Sequence, residues 1–245
     1  MESGHADSIV VDRQDEGHCM TAFPKMIYQT WATKTLPPKI QHSIDNMLKA
    51  NSNYGYQLYD DEDMLSFISN NYDSSVVDCF NSLRIGAAKA DLWRYLILYK
   101  HGGVYLDVDS IIFGKLDDLI GEDGCSVISR ENNPGKFVQW CLMFTPGHPI
   151  LKNCIDSCLD NIRKKNSLSV LELTGPVVYS HAVNQFFGDS NIYYKTDEQV
   201  NSMKATTGVR FHHYDYMGYA QFEHPNKSEL YANKPHWTVE QRNQI

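Results

Sequence analysis

The run from Gly86 to Phe113 constrains the fold more than any other part of the chain. Residues 86–100 are apolar at most positions, with Ala87, Ala88, Ala90, Leu92, Trp93, Leu96, Ile97 and Tyr99 falling on every side of a helix. A helix that is apolar nearly all round is a buried one. His101-Gly102-Gly103 then stops it, glycine being suited to the left-handed cap. Residues 104–113 follow as a strand and its continuation.

The same alternation of helix and strand patterns runs through the rest of the chain. Structure begins at Phe23-Pro24, and residues 25–31 are rich in β-formers, which predicts a first, buried strand. Pro38 suits the first turn of a helix over about 39–49, with Ile40, Ile44, Met47 and Leu48 on one face. Residues 56–59 read as a second strand. Asp60-Asp61-Glu62-Asp63 then opens a helix, placing acids at the positive end of its dipole. Shorter helical patterns cover 74–82, 149–164, and the stretch from Thr174-Gly175-Pro176 to Phe187. A Tyr- and His-rich tail runs from Ile192 onward. This order predicts an α/β fold, a mostly parallel sheet flanked by helices on both faces. Residues 1–22 read as a flexible polar leader, and nothing resembling a linker divides 23–245, so one domain is expected.

Composition narrows the function classes. A chain of 245 residues with 42% hydrophobic and 21% charged residues is neither a disordered tail nor a collagen-like rod nor a disulfide-dense mini-scaffold. The net charge of −8 offers no broad basic face, so nucleic acid is not an expected partner. No apolar run reaches the length of a membrane span, and the N-terminus carries no apolar signal core. The six cysteines show no CxxC and no metal-ligand spacing, and read as buried free thiols. Cys154 and Cys158, four apart in a helical pattern, share a face. A single sequon at Asn226-Lys227-Ser228 does not decide the compartment.

Chemistry concentrates at Val104-Tyr105-Leu106-Asp107-Val108-Asp109. With strand periodicity, Val104, Leu106 and Val108 bury one face, while Tyr105, Asp107 and Asp109 occupy the other. Two neighbouring carboxylates are unfavourable unless a cation joins them or one takes a proton. Hard divalent cations suit such a pair, with waters and substrate phosphates completing the shell. One helix earlier, Asp91 and Arg94 stand three apart and share a face beside Tyr95. On an exposed helix they would be a weak ion pair. On a helix this apolar, their face opens into a cleft next to the acidic strand.

The stretch Ala87-Ala88-Lys89-Ala90-Asp91-Leu92-Trp93-Arg94-Tyr95 through His101-Gly102-Gly103-Val104-Tyr105-Leu106-Asp107-Val108-Asp109 resembles the sugar-binding DXD region of a glycosyltransferase family. The family includes the yeast mannosyltransferase that starts outer-chain mannan and bacterial capsule-type sugar transferases, with the large glucosylating toxins as distant relatives. Residues 23–31 resemble the family's opening strand and 56–62 its second. Pro146-Gly147-His148-Pro149 and Thr174-Gly175-Pro176 match later landmarks, as does His236-Trp237 near the end. Gln139 and Phe144 depart from the pattern, standing where many members carry Asn and Ser.

The resemblance implies a Rossmann-like GT-A fold, with donor-binding residues within about 23–145 and an acceptor or closing part over about 146–245. It implies that Asp107 and Asp109, joined by His236, hold Mn²⁺ or Mg²⁺ on the donor diphosphate. Asp91 and Arg94 would contact sugar hydroxyls, Tyr105 would line their pocket, and Thr30 and Trp31 would hold the base. The implied activity is a metal-dependent hexosyl transfer from a nucleotide-sugar to a glycan or other hydroxyl acceptor, with retention. GDP-mannose is the first donor expected and a UDP-hexose the second. A cytoplasmic place follows from the missing signal and span; the alternative is a Golgi-lumenal domain separated from its anchor. Two rival readings remain. Asp107-Val108-Asp109-Ser110 also fits a haloacid-dehalogenase-like phosphatase, although that motif normally sits on a first strand. A nucleotide-sugar-binding module without turnover is the other.

Overall fold

The computed structural model describes residues 22–110, 112, 114–131, 133–164 and 168–212. Strand β1 (Met26–Thr30) lies second from one edge of a six-stranded sheet, with β2 (Gly55–Tyr59) and β3 (Gly103–Leu106) parallel to it on either side. Helix α1 (Pro38–Ala50) connects β1 to β2, with Pro38 in its first turn. Between β2 and β3 come α2 (Asp61–Asn71), α3 (Ser74–Ser82) and α4 (Gly86–His101). Asp60 and Asp63 form a reciprocal capping box at the start of α2, which accounts for the acidic run there.

The second half of the sheet was not legible as strands. After α5 (Leu116–Ile120), β4 (Ser126–Ser129) and β5 (Cys141–Phe144) are only four residues long and buried on both faces, so no alternation marks them. Helix α6 (Pro149–Arg163), α7 (Val170–Leu173), α8 (Pro176–Phe187), α9 (Asp197–Asn201) and α10 (Lys204–Thr207) lead to β6 (Val209–His212). The strand order is β2-β1-β3-β5-β4-β6. β5 runs antiparallel to both its neighbours, and β4 and β6 are parallel to each other. The result is a single mixed sheet in an α/β fold, parallel everywhere except along β5.

Each face of the sheet has its own core. Tyr28, Tyr105, Leu142, Ile128 and Phe211 point to the side covered by α2, α3, α4, α6 and α8. Ile27, Val104, Leu106, Val127 and Met143 point to the side covered by α1 and α5. Helix α4 is buried from Asp91 to Leu98 without a break, as its composition requires. Cys154 and Cys158 are both buried on the inner face of α6, and the five described cysteines are free thiols.

The joint between α4 and β3 depends on two glycines. Gly102 has φ +64°, and a Cβ there would sit 2.6 Å from Pro146 Cδ. Gly103 has φ +103°, and a Cβ would lie 2.7 Å from the Met26 carbonyl oxygen. Pro146 belongs to the connection from β5 into α6, so this contact ties three elements together. In the same connection His148 caps α6: its Nδ1 accepts from the Ile150 backbone N–H at 3.2 Å. Its ring packs edge-on against Phe144 and also touches Phe186.

Burial among those rings lowers the His148 pKa from 6.5 to about 4. As pH falls between these values the unfolded chain takes up a proton that the folded chain does not. The stability contributed here is complete above pH 6.5 and is lost as pH falls towards about 4, a change of about 3 kcal/mol. Urea denaturation followed across that range checks this. His148→Asn keeps a capping acceptor but cannot titrate, so it flattens this part of the pH profile; an unchanged profile refutes the assignment.

Candidate functional site

The parallel strands β1 and β3 finish at the same end of the sheet, and antiparallel β5 begins there. Thr30, Trp31, Asp107 and the residues leading into β5 therefore come together at one edge. Alternation holds through Asp107: Val104 and Leu106 face one core, Tyr105 the other, and the Asp107 carboxylate lies on the Tyr105 side. The strand itself ends at Leu106, which corrects the expectation of a strand continuing to 113. Its last backbone link is Asp107 N–H to the Trp140 carbonyl at 2.9 Å. Ser110 N–H then bonds back to the Asp107 carbonyl at 2.9 Å, closing a turn that contains Val108 and Asp109. Gln29, fully buried in β1, donates to the same carbonyl at 3.2 Å, and the Tyr56 hydroxyl donates to Gln29 Oε1 at 3.1 Å. Asp109 is thus placed by a turn and not by strand periodicity.

Arg94 joins the helix to this edge. Its Nη2 lies 3.1 Å from Asp91 Oδ1 and 3.1 Å from Asp107 Oδ1. The guanidinium carbon stands 4.4 Å from the centre of the Tyr105 ring, and the Tyr105 hydroxyl donates to Asp107 Oδ1 at 2.6 Å. Asp91 and Arg94 are only 5% and 4% exposed, while the Asp107 side chain is 32% exposed. The buried pair forms the floor, and Asp107 reaches the surface above it.

The floor contains a residue that sequence reasoning noticed only as a departure. Gln139 donates through Nε2 to Asp91 Oδ1 at 2.9 Å and to the Tyr95 hydroxyl at 2.7 Å. Its carbonyl oxygen accepts from Arg94 Nη1 at 3.0 Å. The Thr174 hydroxyl donates to Asp91 Oδ2 at 3.1 Å, and Tyr95 donates to the Thr174 carbonyl at 3.1 Å. Thr174 precedes the Gly175 N-cap of α8, so the Thr-Gly-Pro turn both starts a helix and reaches the carboxylate.

Burial pushes the Asp91 carboxyl above its ordinary value, and Arg94, Gln139 and Thr174 pull it back. Burial also works against the charged guanidinium, but Asp107, Tyr105 and Asp91 outweigh it and raise Arg94 above its ordinary range. Tyr105 is raised well above the phenol range, first by burial. It therefore stays a hydrogen-bond donor to Asp107.

The bonds from Tyr105 and Arg94 to Asp107 fall on one oxygen, Oδ1. Two carboxylates, Asp107 and Asp109, make an all-oxygen donor set that fits a hard divalent cation sharing its shell with phosphate oxygens and water. Among the described residues no group of three His, Cys, Asp or Glu gathers around a metal position. Thr30 is buried, with its hydroxyl on Met64 Sδ at 3.1 Å, and Trp31 is half-buried at the end of β1. His236, expected to join the metal site, lies outside the described residues, as does Trp237. No described helix is long and apolar enough to cross a membrane.

Several known proteins are similar to this chain. An uncharacterized glycosyltransferase of Acanthamoeba polyphaga mimivirus is 24% identical over 166 residues, 66% of this chain and 65% of that protein. Inositol phosphoceramide mannosyltransferase 3 of Schizosaccharomyces pombe is 34% identical over 130 residues, 53% of this chain and 35% of that protein. The chain thus matches less than two thirds of the length of either relative. A solved structure, the PaToxG glycosyltransferase, superposes with a TM-score of 0.55 at 23% identity, covering 75% of this chain and 77% of its own. That likeness is one of fold, the GT-A fold of glycosyltransferase domains. Residues 37–125, which run from the start of α1 past the Asp107–Ser110 turn, match the family described as a glycosyltransferase sugar-binding region containing a DXD motif.

Proposed function

We propose that the protein is a metal-dependent retaining hexosyltransferase that moves a sugar from a nucleotide-sugar to a glycan hydroxyl. The observation that carries this reading is the cluster in which one buried guanidinium joins the helix acid Asp91 to the turn acid Asp107. GDP-mannose is the first donor, because a relative sharing 34% identity is named a mannosyltransferase; a UDP-hexose is the second. The phosphatase reading loses ground on position, since the acidic turn follows the third strand of the chain and not the first.

In this reading Asp107 and Asp109 are the residues that would hold the cation beside the donor diphosphate. When bound, Mn²⁺ or Mg²⁺ supplies Lewis-acid stabilisation to the departing phosphate oxygens. Asp91 and Arg94 position the donor sugar above the floor, and Tyr105 fixes the Asp107 carboxylate from below. Thr30 and Trp31 flank the base at the end of β1. The bond between the anomeric carbon and the diphosphate breaks, with its electron pair leaving on the diphosphate. The acceptor oxygen bonds to the same carbon from the same face, and its proton passes to the leaving phosphate oxygen. Positive charge developing on the sugar ring lies near Asp91 and Asp107. His236 is the candidate third protein ligand.

Thermal denaturation with GDP or UDP, each with and without Mn²⁺, tests the reading. A nucleotide at 100-fold its dissociation constant stabilises the fold by about 2.7 kcal/mol. The expected gain requires the metal and vanishes in Asp109→Ala; metal-independent binding of equal strength in that variant rejects the site. A second prediction concerns Arg94. Arg94→Lys keeps the charge but loses the planar fork that spans Asp91 and Asp107. Nucleoside diphosphate affinity with Mn²⁺ stays within about 2-fold, whereas turnover of the nucleotide-sugar falls about 10-fold or more, roughly 1.4 kcal/mol in the barrier. Calorimetry and a donor-consumption assay separate the two. Equal losses in both place Arg94 on the phosphates instead.

A further inference from the structure

A cavity at the same end of the sheet has no part in the donor cluster. It is open, has a volume of about 430 Å³, and is lined by Arg130, Tyr193, Lys195, Thr196, Asp197 and Glu198. Its position follows from strand register. Ser129 at the end of β4 pairs with His212, and Val138 N–H bonds back to the Ser129 carbonyl at 2.8 Å. Arg130 bridges to Phe137, two residues before Gln139 of the donor floor. β4 is two strands from β3, so Arg130 stands about 10 Å along the sheet edge from Asp107. It also lies on the same face: its guanidinium covers the Phe211 ring at 4.9 Å, and Phe211 shares a core with Tyr105.

The cavity wall is held in place by Arg130. Its side chain donates to the Tyr193 carbonyl at 2.7 Å, to the Lys195 carbonyl, and to the Asp197 carboxylate. The Tyr193 hydroxyl donates to the Glu131 carbonyl at 2.6 Å. Tyr194, 68% exposed, stands beside Tyr193 with ring centres 5.1 Å apart. An exposed tyrosine on a segment pinned this firmly is a ready stacking surface.

Charge decides the ligand class. Both cations of the cavity are already paired, Arg130 with Asp197 and Lys195 with Asp189 at 3.2 Å. Among the described residues an anionic ligand would meet no uncommitted positive charge in this cavity. A neutral polyhydroxy ligand fits better: carboxylates accept its hydroxyl hydrogens, and an aromatic ring covers the apolar face of a pyranose.

We infer that this cavity, with exposed Tyr194 between its lining residues Tyr193 and Lys195 in sequence, is the binding site for a neutral glycan acceptor, whose reacting hydroxyl extends along the sheet edge to the donor site. The inference rests on the transferase reading and names the acceptor class and the residues that bind it. The spacing of about 10 Å suits it, because an extended sugar or two spans such a distance.

The test uses mannobiose, maltose and lactose as probes, titrated into the isotope-labelled chain and followed by backbone NMR. At least one disaccharide is expected to shift the signals of 193–198 in a saturable way. Tyr194→Ala and Glu198→Ala, both at exposed positions, each weaken that binding about 5-fold or more and leave the affinity for GDP or UDP with Mn²⁺ within about 2-fold. No saturable shift with any of the three, shifts confined to other segments, or undiminished binding in both variants overturns the proposal. The nucleotide arm reports on the transferase reading separately: loss of metal-dependent nucleotide binding in the unsubstituted protein rejects that reading whatever the disaccharides do.

Discussion

A buried guanidinium bridging two carboxylates from different elements is the interaction on which this structure turns. Arg94 and Asp91 sit almost fully buried on α4, and Asp107 stands where β3 gives way to a turn. Charges in such a place are costly unless they are matched and their remaining hydrogen-bonding capacity is satisfied. Here Gln139, Thr174, Tyr95 and Tyr105 do the matching. These partners come from the helix, the strand, the approach to β5 and the turn before α8. The polar cluster therefore demands that three stretches of chain far apart in sequence, the α4–β3 unit, the approach to β5 and the turn before α8, arrive in register. Apolar packing alone tolerates small slips; a network of this kind does not.

The reversal of β5 makes this convergence possible. Were β5 parallel to β3, its first residues and the Gln139 segment before it would lie at the far end of the sheet. Running antiparallel, β5 delivers Gln139 beside Asp107 and returns its other end to Pro146 and the α4–β3 joint. One strand thus connects the chemistry at one end of the sheet to the glycine joint at the other.

Much of this was legible in the chain, and the failures have physical causes. The buried helix 86–101, the first strand, Pro38 at a helix start and the Thr-Gly-Pro turn all follow from local rules. The pairing of Asp91 with Arg94 follows from helical spacing. The end of β3 does not, because Val108 and Ile112 continue an apolar pattern and are indeed buried, while the backbone turns at Asp107 on bonds from Ser110 and Gln29. Only a long-range partner, Gln29 in β1, decides that. β4, β5 and β6 are too short and too uniformly buried, or too weakly patterned, to announce themselves. Gln139 stood out only as a mismatch to the family pattern; its role as the amide that joins Asp91, Arg94 and Tyr95 depends on β5 running antiparallel, which no local signal encodes.

Gly102 and Gly103 leave no slack between α4 and β3. With Pro146 against one and the Met26 carbonyl against the other, the helix bearing Arg94 and the strand leading to Asp107 behave as one lever with a fused elbow. Any rearrangement at this end of the sheet then has to occur distal to that elbow, in the four residues from Asp107 to Ser110 and in the segments that face them. The geometry of that turn can change while the distance between Arg94 and the sheet stays constant. The fold in this way separates a stationary reference frame from the few bonds that close the Asp107–Ser110 turn.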